Sequence, residues 1–124
     1  MGIWQMHDAW DHRAEFAKVL CSSIPGTIEG PYPEARDFLL RKRGEIPRLW
    51  ALCAAELERA RSRWPRLPGN VPLTECFVLT ALSLDEPMTR PPAWSVGFES
   101  VGSFWVHVTV EVVGDQVTGH SCDT

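Results

Sequence analysis

The side chains best suited to chemistry lie at alternate positions near the end of the 124-residue chain. They alternate with apolar residues and comprise Trp105, His107, Thr109 and Glu111. A period of two is what a β-strand needs when one face is buried and the other is not. The segment therefore predicts a strand whose second face carries an indole, an imidazole, a hydroxyl and a carboxylate.

The residues after this strand decide which other side chains reach the same face. The Gly114-Asp115 pair favours a two-residue hairpin turn. Uninterrupted pairing from that turn places His120 opposite Thr109, and it places Cys122 opposite His107. Such cross-strand neighbours lie about 4.5–5.5 Å apart at Cβ. A three-residue loop would instead turn His120 and Cys122 towards the core.

This face could support two kinds of chemistry. A cysteine beside a histidine can form a thiolate nucleophile, and two histidines with a cysteine or glutamate can hold a metal ion. However, a flat strand pair offers no oxyanion site, and the chain lacks the motifs of phosphate-binding loops, serine hydrolases and zinc peptidases. We therefore expect contact rather than catalysis, with no catalytic residue, metal or cofactor, and a binding surface formed by Trp105, His107, Thr109, Glu111 and His120.

A second group of potential metal ligands lies near the N-terminus. His7 and Asp11 are four residues apart, as are Asp8 and His12, and this spacing presents pairs of ligands on one side of a helix. Asp8 is also a suitable helix cap. The cluster predicts a charged first helical turn rather than a metal site.

Positive charge is concentrated in residues 36–66, which hold nine of the twelve basic residues but only four of the sixteen acidic ones. Such a segment is typical of surfaces that bind acidic proteins or nucleic acids. Glu56 and Glu58 precede Arg59 and Arg61 by three residues, where helical side chains can form ion pairs. The pattern therefore favours a solvated, salt-bridged helix end.

The elements that must position these groups follow from periodicity and from three proline-rich loops. Helical spacing of apolar residues predicts a helix at about Asp8 to Cys21, a short one between Pro33 and Gly44, and a strong one from Pro47 to Trp64. After Pro72 the period changes, and strands are predicted at Thr74 to Leu84, at Ala93 to Phe98 and in the final hairpin.

Together these patterns predict an α+β fold, in which about three N-terminal helices pack on one face of a C-terminal antiparallel sheet of about four strands. The chain length is that of one domain, 1–124, with a helical part at about 5–64 and a sheet part at about 73–123. No apolar run approaches the roughly 20 residues of a membrane span, and we do not expect the charged N-terminal segment to be a signal peptide. Four scattered cysteines without a CxxC pair indicate reduced thiols and a cytoplasmic location.

The C-terminal part also resembles known small proteins. Pro92-Ala93-Trp94-Ser95-Val96-Gly97-Phe98, followed by Trp105-Val106-His107-Val108 and the Gly114-Asp115 hairpin, resembles bacterial proteins of the toxin-immunity and mobile-gene-cassette type. This resemblance implies a short, acidic, cytoplasmic α+β protein and assigns no functional residue. The element order is also similar to the cone-shaped fold of steroid-isomerase type, in which helices and a curved sheet enclose an apolar pocket. That fold requires an early strand, here Ser23 to Glu29.

Three functions are compatible with these patterns. The first is a non-enzymatic interaction protein that recognises a protein partner, or itself as a homo-oligomer such as a dimer, through the second sheet face. The second is a binder or enzyme for a small apolar ligand between helices and sheet, with His107 or Glu111 as the acid–base group and walls of Trp10, Trp50 and Trp94. The third is nucleic-acid binding through residues 41–66.

Overall fold

The computed structural model describes residues 2–9, 19–27, 30–31, 33–84 and 91–124, with side chains from residue 33 onward. These residues form seven strands and three helices: β1 Gly2–Ala9, β2 Val19–Thr27, β3 Gly30–Pro31, α1 Pro33–Arg43, α2 Ile46–Arg63, α3 Leu73–Cys76, β4 Phe77–Leu84, β5 Ala93–Ser100, β6 His107–Val113 and β7 Gln116–Asp123.

All the strands belong to one sheet with the order β1-β2-β4-β5-β6-β7, and the short β3 pairs with β2. Strands β4 to β7 follow one another as an antiparallel meander. The N-terminal hairpin of β1 and β2 joins this meander through a parallel pairing of β2 with β4, in which Cys21 lies opposite Ala81. A parallel neighbour needs a long crossover connection, and α1 and α2 lie within it.

The predicted fold class is confirmed, since helices pack against a four-stranded antiparallel sheet formed by β4 to β7. The helix predicted over Asp8 to Cys21 is wrong at both ends, because Asp8 lies in β1 and Cys21 in β2. Its middle, residues 10–18, is outside the described residues. Pairing of β2 with strands on both sides outweighs the local helical spacing of apolar residues. Strand β2 also runs through most of the early strand that the cone-shaped fold requires.

Helix α2 follows its predicted apolar stripe closely. It begins after Glu45 with a proline in its first turn, where the missing N–H costs nothing, and it ends before Pro65. The stripe is buried along its length: Ile46, Leu49, Trp50, Cys53, Leu57 and Ala60. One charged residue, Glu56, is buried among them at 8% exposure.

The core lies between the two longer helices and one face of the sheet. Trp50 of α2 packs edge-on against Phe98 of β5 with ring centroids 4.9 Å apart. Phe38 of α1 meets Trp94 in the same way at 5.5 Å. Strand β6 contributes Val108, Val110 and Val112, each at most 1% exposed. This burial of one face explains why core-facing apolar residues recur at every second position of β5 and β6.

Strand β4 is shorter than predicted, because Leu73–Cys76 form a helical turn. Its buried residues are at odd-numbered positions up to Leu79 and at even-numbered positions from Leu82, because the register shifts between Leu79 and Ala81. Leu79 and Leu82 are three residues apart, yet both are fully buried. The sequence pattern of β4 predicts a strand buried on both faces. Because of the β-bulge, the strand is instead buried mainly on one face.

Candidate functional site

The sheet face opposite α1 and α2 carries most of the side chains that the sequence singled out. We call it the far face and define it, within the described part of β4 to β7, by Ala81, Ser83, Ala93, Ser95, Gly97, Glu99, His107, Thr109, Glu111, Val113, Gly119, Ser121 and Asp123. Four of the five predicted binding residues lie on it or at its end, namely Trp105, His107, Thr109 and Glu111.

His120 does not lie on the far face, so its predicted pairing is wrong. The two-residue turn is present, with Val113 opposite Gln116. Between Glu111 and Val112, however, the register shifts by one residue, and Thr118 has no partner across the pair. Its hydroxyl donates to the carbonyl of Glu111 at 3.2 Å. This bulge exchanges the two faces of β7 beyond it.

The shift places His120 opposite Val110 and Cys122 opposite Val108. Both side chains therefore lie on the core side, and the proposed neighbours His107 and Cys122 are separated by the sheet. Because the thiol and the imidazole are on different faces, the thiolate–imidazole pair that uninterrupted pairing would have allowed does not form.

On the core side, His120 forms a contact that the sequence did not reveal. Its Nδ1 donates to Oε2 of Glu56 at 2.5 Å, and both side chains are about nine-tenths buried. The other carboxylate oxygen of Glu56 accepts a hydrogen bond from Nη1 of Arg59, also at 2.5 Å. The one signal in the sequence was a glutamate on the apolar stripe of α2. The contact holds the edge strand β7 against the helix.

The end of the far face is formed by an aromatic stack. Trp105 is 47% exposed, and its ring stacks on the imidazole of His107 with centroids 6.2 Å apart and planes 21° apart. Thr109 Oγ1 lies 3.5 Å from Nδ1 of His107 on the other side. The imidazole leans over Gly97, where a Cβ would be 3.1 Å from its Nε2. The missing side chain at Gly97 therefore makes room for His107.

Two rows of side chains, all of them small except Glu111, run across the far face. One row is Ala81, Gly97, Thr109 and Ser121, and the next is Ser83, Ser95, Glu111 and Gly119. A depression of about 260 Å³ lies over β5, β6 and the start of β7 and is lined by Ala93, Trp94, Ser95, Thr109, Glu111, Val112, Val113 and Thr118. A flat partner can approach the backbone closely over such a surface.

The far face and the helix layer differ in charge. Within its definition above, the far face holds three carboxylates, Glu99, Glu111 and Asp123, and no lysine or arginine. Six arginines are exposed on or next to the helices: Arg36, Arg41, Arg48, Arg59, Arg63 and Arg66. The molecule is therefore polarised across the sheet, which gives each side a preference for partners of opposite charge.

Many of the basic side chains in residues 41–66 are engaged within the chain. The ion pairs predicted from spacing are present, Arg59 with Glu56 and Arg61 with Glu58. The hydrogen bond that Arg61 donates to the Glu58 carboxylate raises the pKa of Arg61, whose Nη1 also donates to the carbonyl of Val71. Arg43 is buried, and this burial lowers its pKa. These contacts correspond to the salt-bridged helix end that the sequence favoured.

Two buried thiols, those of Cys53 and Cys76, are poor nucleophiles. Burial and the nearby Glu56 carboxylate raise the pKa of the Cys53 thiol to about 12. Burial also raises the pKa of Cys76, against the opposing influence of Arg61. Since the thiolate is the reactive form, neither group is suited to nucleophilic catalysis. Among the described residues no three histidine, cysteine or acidic side chains are grouped to hold a metal ion.

The residues of the pocket hypothesis do not assemble. Trp50 and Trp94 are packed in the core, whereas His107 and Glu111 lie on the far face; Trp10 is outside the described residues. A second depression of about 400 Å³ lies at the helix edge of the sheet, lined by Lys42, Glu45, Arg48, Leu49, Ala51, Leu52, Trp94 and Asp115.

The N-terminal group of potential metal ligands lies only partly within the described residues. His7 and Asp8 are in strand β1, so the predicted helical spacing is wrong for them. Asp11 and His12 are outside the described residues.

Comparison with protein-family models, with curated proteins and with solved structures gives no match. These comparisons leave the resemblance to toxin-immunity and mobile-gene-cassette proteins as a prediction. Of the described helices, none combines the length and the apolar character needed to cross a membrane.

Proposed function

We propose that this chain is a non-enzymatic binding protein that recognises a protein partner through its far face. The observation that carries the proposal is the exposed, stacked Trp105 beside two rows of mostly small side chains. A tryptophan at the centre of a contact supplies a large buried area at little entropic cost, and such residues dominate binding energies. The flat rows allow the partner to contact the strands over their length.

The charge of the far face selects the partner. Three carboxylates without a neighbouring lysine or arginine in the described part of this face favour a basic partner surface. A symmetric dimer through the same face would bring these carboxylates against their own copies, since a two-fold interface is self-complementary. We therefore favour a different, basic protein over a face-to-face homodimer.

A cytoplasmic location is part of the same proposal. Cys53, Cys76 and Cys122 are free thiols, and none of these three described cysteines forms a disulfide. Free cysteines are typical of reducing compartments.

The experiment compares capture of partners by the wild type and by variants of matched chemistry. Trp105→Ala and Glu111→Lys alter the far face, whereas Leu40→Ala and Asp37→Lys make the same kinds of change at exposed positions of α1. Captured proteins are identified by mass spectrometry, and their affinities are then measured with purified partner. We expect a partner with a basic contact surface, whose binding weakens about thirtyfold with Trp105→Ala, from the ~2 kcal/mol typical of such a residue.

Glu111→Lys should weaken the same partner and reduce its dependence on salt, while both α1 variants should bind as the wild type does. Sedimentation velocity reports the state of the protein alone. Equal binding by all variants would contradict the proposal. A dimer that Trp105→Ala dissociates, with no partner captured, would show that the far face binds a second copy instead.

A further inference from the structure

We propose that the depression beside Glu111 receives the guanidinium group of an arginine from the partner. The inference rests on the proposed function, because it names the chemistry with which a basic partner engages the far face. Three features of the described residues carry it: an unpaired carboxylate, a set of hydroxyl acceptors, and a short apolar rim.

Within the part of the chain that the structure describes, the Glu111 carboxylate forms no ion pair that would neutralise it. In the cross-strand row, Glu111 lies between Ser95 of β5 and Gly119 of β7. The bulge at Thr118 puts this glycine there, since uninterrupted pairing would have placed a threonine opposite Glu111. No ion pair of Glu111 is present among the described residues, in contrast with Glu45, Glu56 and Glu58 of the helix layer.

The hydroxyl groups surround the carboxylate on three strands. Ser95, Thr109 and Thr118 line the depression with it. The Thr118 hydroxyl already donates its proton to the Glu111 carbonyl, so its lone pairs are left to accept hydrogen bonds. A carboxylate with hydroxyl acceptors around it matches a guanidinium, which has five N–H donors in a plane and no acceptor.

The rim suits the rest of the arginine side chain. Val113 is 37% exposed and, with Ala93, forms the apolar end of the depression. Arginine and lysine bury their methylene stems on such surfaces while their charged ends reach polar groups. Arginine is favoured over lysine because the acceptors are spread over three strands rather than gathered around one point.

The test uses a defined probe and does not require the partner. Backbone amide NMR spectra are recorded while N-acetyl-arginine methylamide is added, and in parallel titrations with the citrulline and lysine analogues. Citrulline has the shape of arginine without its charge. We expect arginine to shift the amides of Ser95, Thr109, Glu111 and Thr118, lysine to bind more weakly, and citrulline to cause no saturable shift.

Two isosteric variants supply the control. Glu111→Gln should weaken the arginine probe about fivefold, the effect of losing an exposed charge pair of roughly 1 kcal/mol. Glu99→Gln removes an equal charge from the same face outside the depression and should change the affinity less than twofold. Equal weakening by the two variants would show that only the general negative field acts, and would overturn the inference.

The partner experiment separates this inference from the function on which it rests. If Trp105→Ala loses the partner while Glu111→Gln keeps it, the far face binds protein but the guanidinium site is wrong. If neither variant affects capture, both proposals are overturned. Loss of capture with each of them, together with the arginine-specific shifts, supports both.

Discussion

The contact between Glu56 and His120 gives the most direct test of how the edge strand is held. Glu56→Ala and His120→Ala each remove one partner of a 2.5 Å hydrogen bond between α2 and β7. The double variant removes both, so the thermodynamic cycle isolates their interaction from the burial that each side chain loses.

The expected magnitude follows from exposure. The side chains of His120 and Glu56 are 13% and 11% exposed, so water screens their interaction weakly. A hydrogen bond to a charged group contributes roughly 1.5–3 kcal/mol, and we expect a coupling free energy of about 2 kcal/mol. Arg59 also pairs with Glu56, but its side chain is 68% exposed, and we expect this pair to contribute less than about 1 kcal/mol.

The assay is equilibrium unfolding in urea at neutral pH, followed by tryptophan fluorescence. Each free energy of unfolding is taken from the linear dependence on urea, with the slope checked for constancy across the four proteins. A second cycle on Glu45 and Arg48 serves as the matched control. That pair has the same i, i+3 ion-pair chemistry as the helix pair of Glu56, but its arginine side chain is 84% exposed, so its coupling should stay below about 0.5 kcal/mol.

Comparable coupling free energies in the two cycles would refute the reasoning, because burial would then have no effect on the strength of the interaction. A coupling near zero for Glu56 and His120 would mean that the register of β7 described above is not the one in solution.

Three further outcomes follow from particular contacts. Gly97→Ala should lower the free energy of unfolding by about 1 kcal/mol and shift the imidazole NMR signals of His107, because the new methyl would lie 3.1 Å from its Nε2; unchanged signals would contradict this. Gly114→Ala should cost about 1–2 kcal/mol in urea unfolding, since Gly114 has a φ of +61° and its Cβ would meet a proline at 3.2 Å; a neutral result would exclude the left-handed turn. Iodoacetamide at pH 8 should label the half-buried Cys122 well before Cys53, whose raised pKa of about 12 keeps the thiol protonated; mass spectrometry of peptides gives the order, and faster labelling of Cys53 would be inconsistent with its burial.

The sequence predicts best where a local pattern and the tertiary structure agree. The stripe of α2 and the alternation of β6 depend on which side faces the core, and both are present as predicted. The Gly114-Asp115 turn is also local, because positive φ at Gly114 suffices to favour it. These parts of the fold follow from residue types within a few positions of one another.

Features that depend on distant pairing were not predictable in the same way. Whether β2 is a strand depends on β1 and β4 on its two sides, and the nearby helical spacing of apolar residues gave the wrong result. The bulge at Thr118 places His120 on the core side, where it contacts Glu56, which is 64 residues away in the chain. The predicted sheet face is right for Trp105, His107, Thr109 and Glu111, which precede the bulge, and wrong for His120, which follows it.

The bulge also bears on how readily this chain could acquire another activity. Loss of the bulge without a change in length would restore continuous pairing of the hairpin, with Thr118 opposite Glu111, and would carry His120 and Cys122 to the far face, beside Thr109 and His107. The same shift of register would leave Glu56 buried without its imidazole, so the new arrangement would begin from a less stable fold. A one-residue shift of register thus separates a surface for binding from a thiol–imidazole constellation, and the bulge in β7 keeps the two apart.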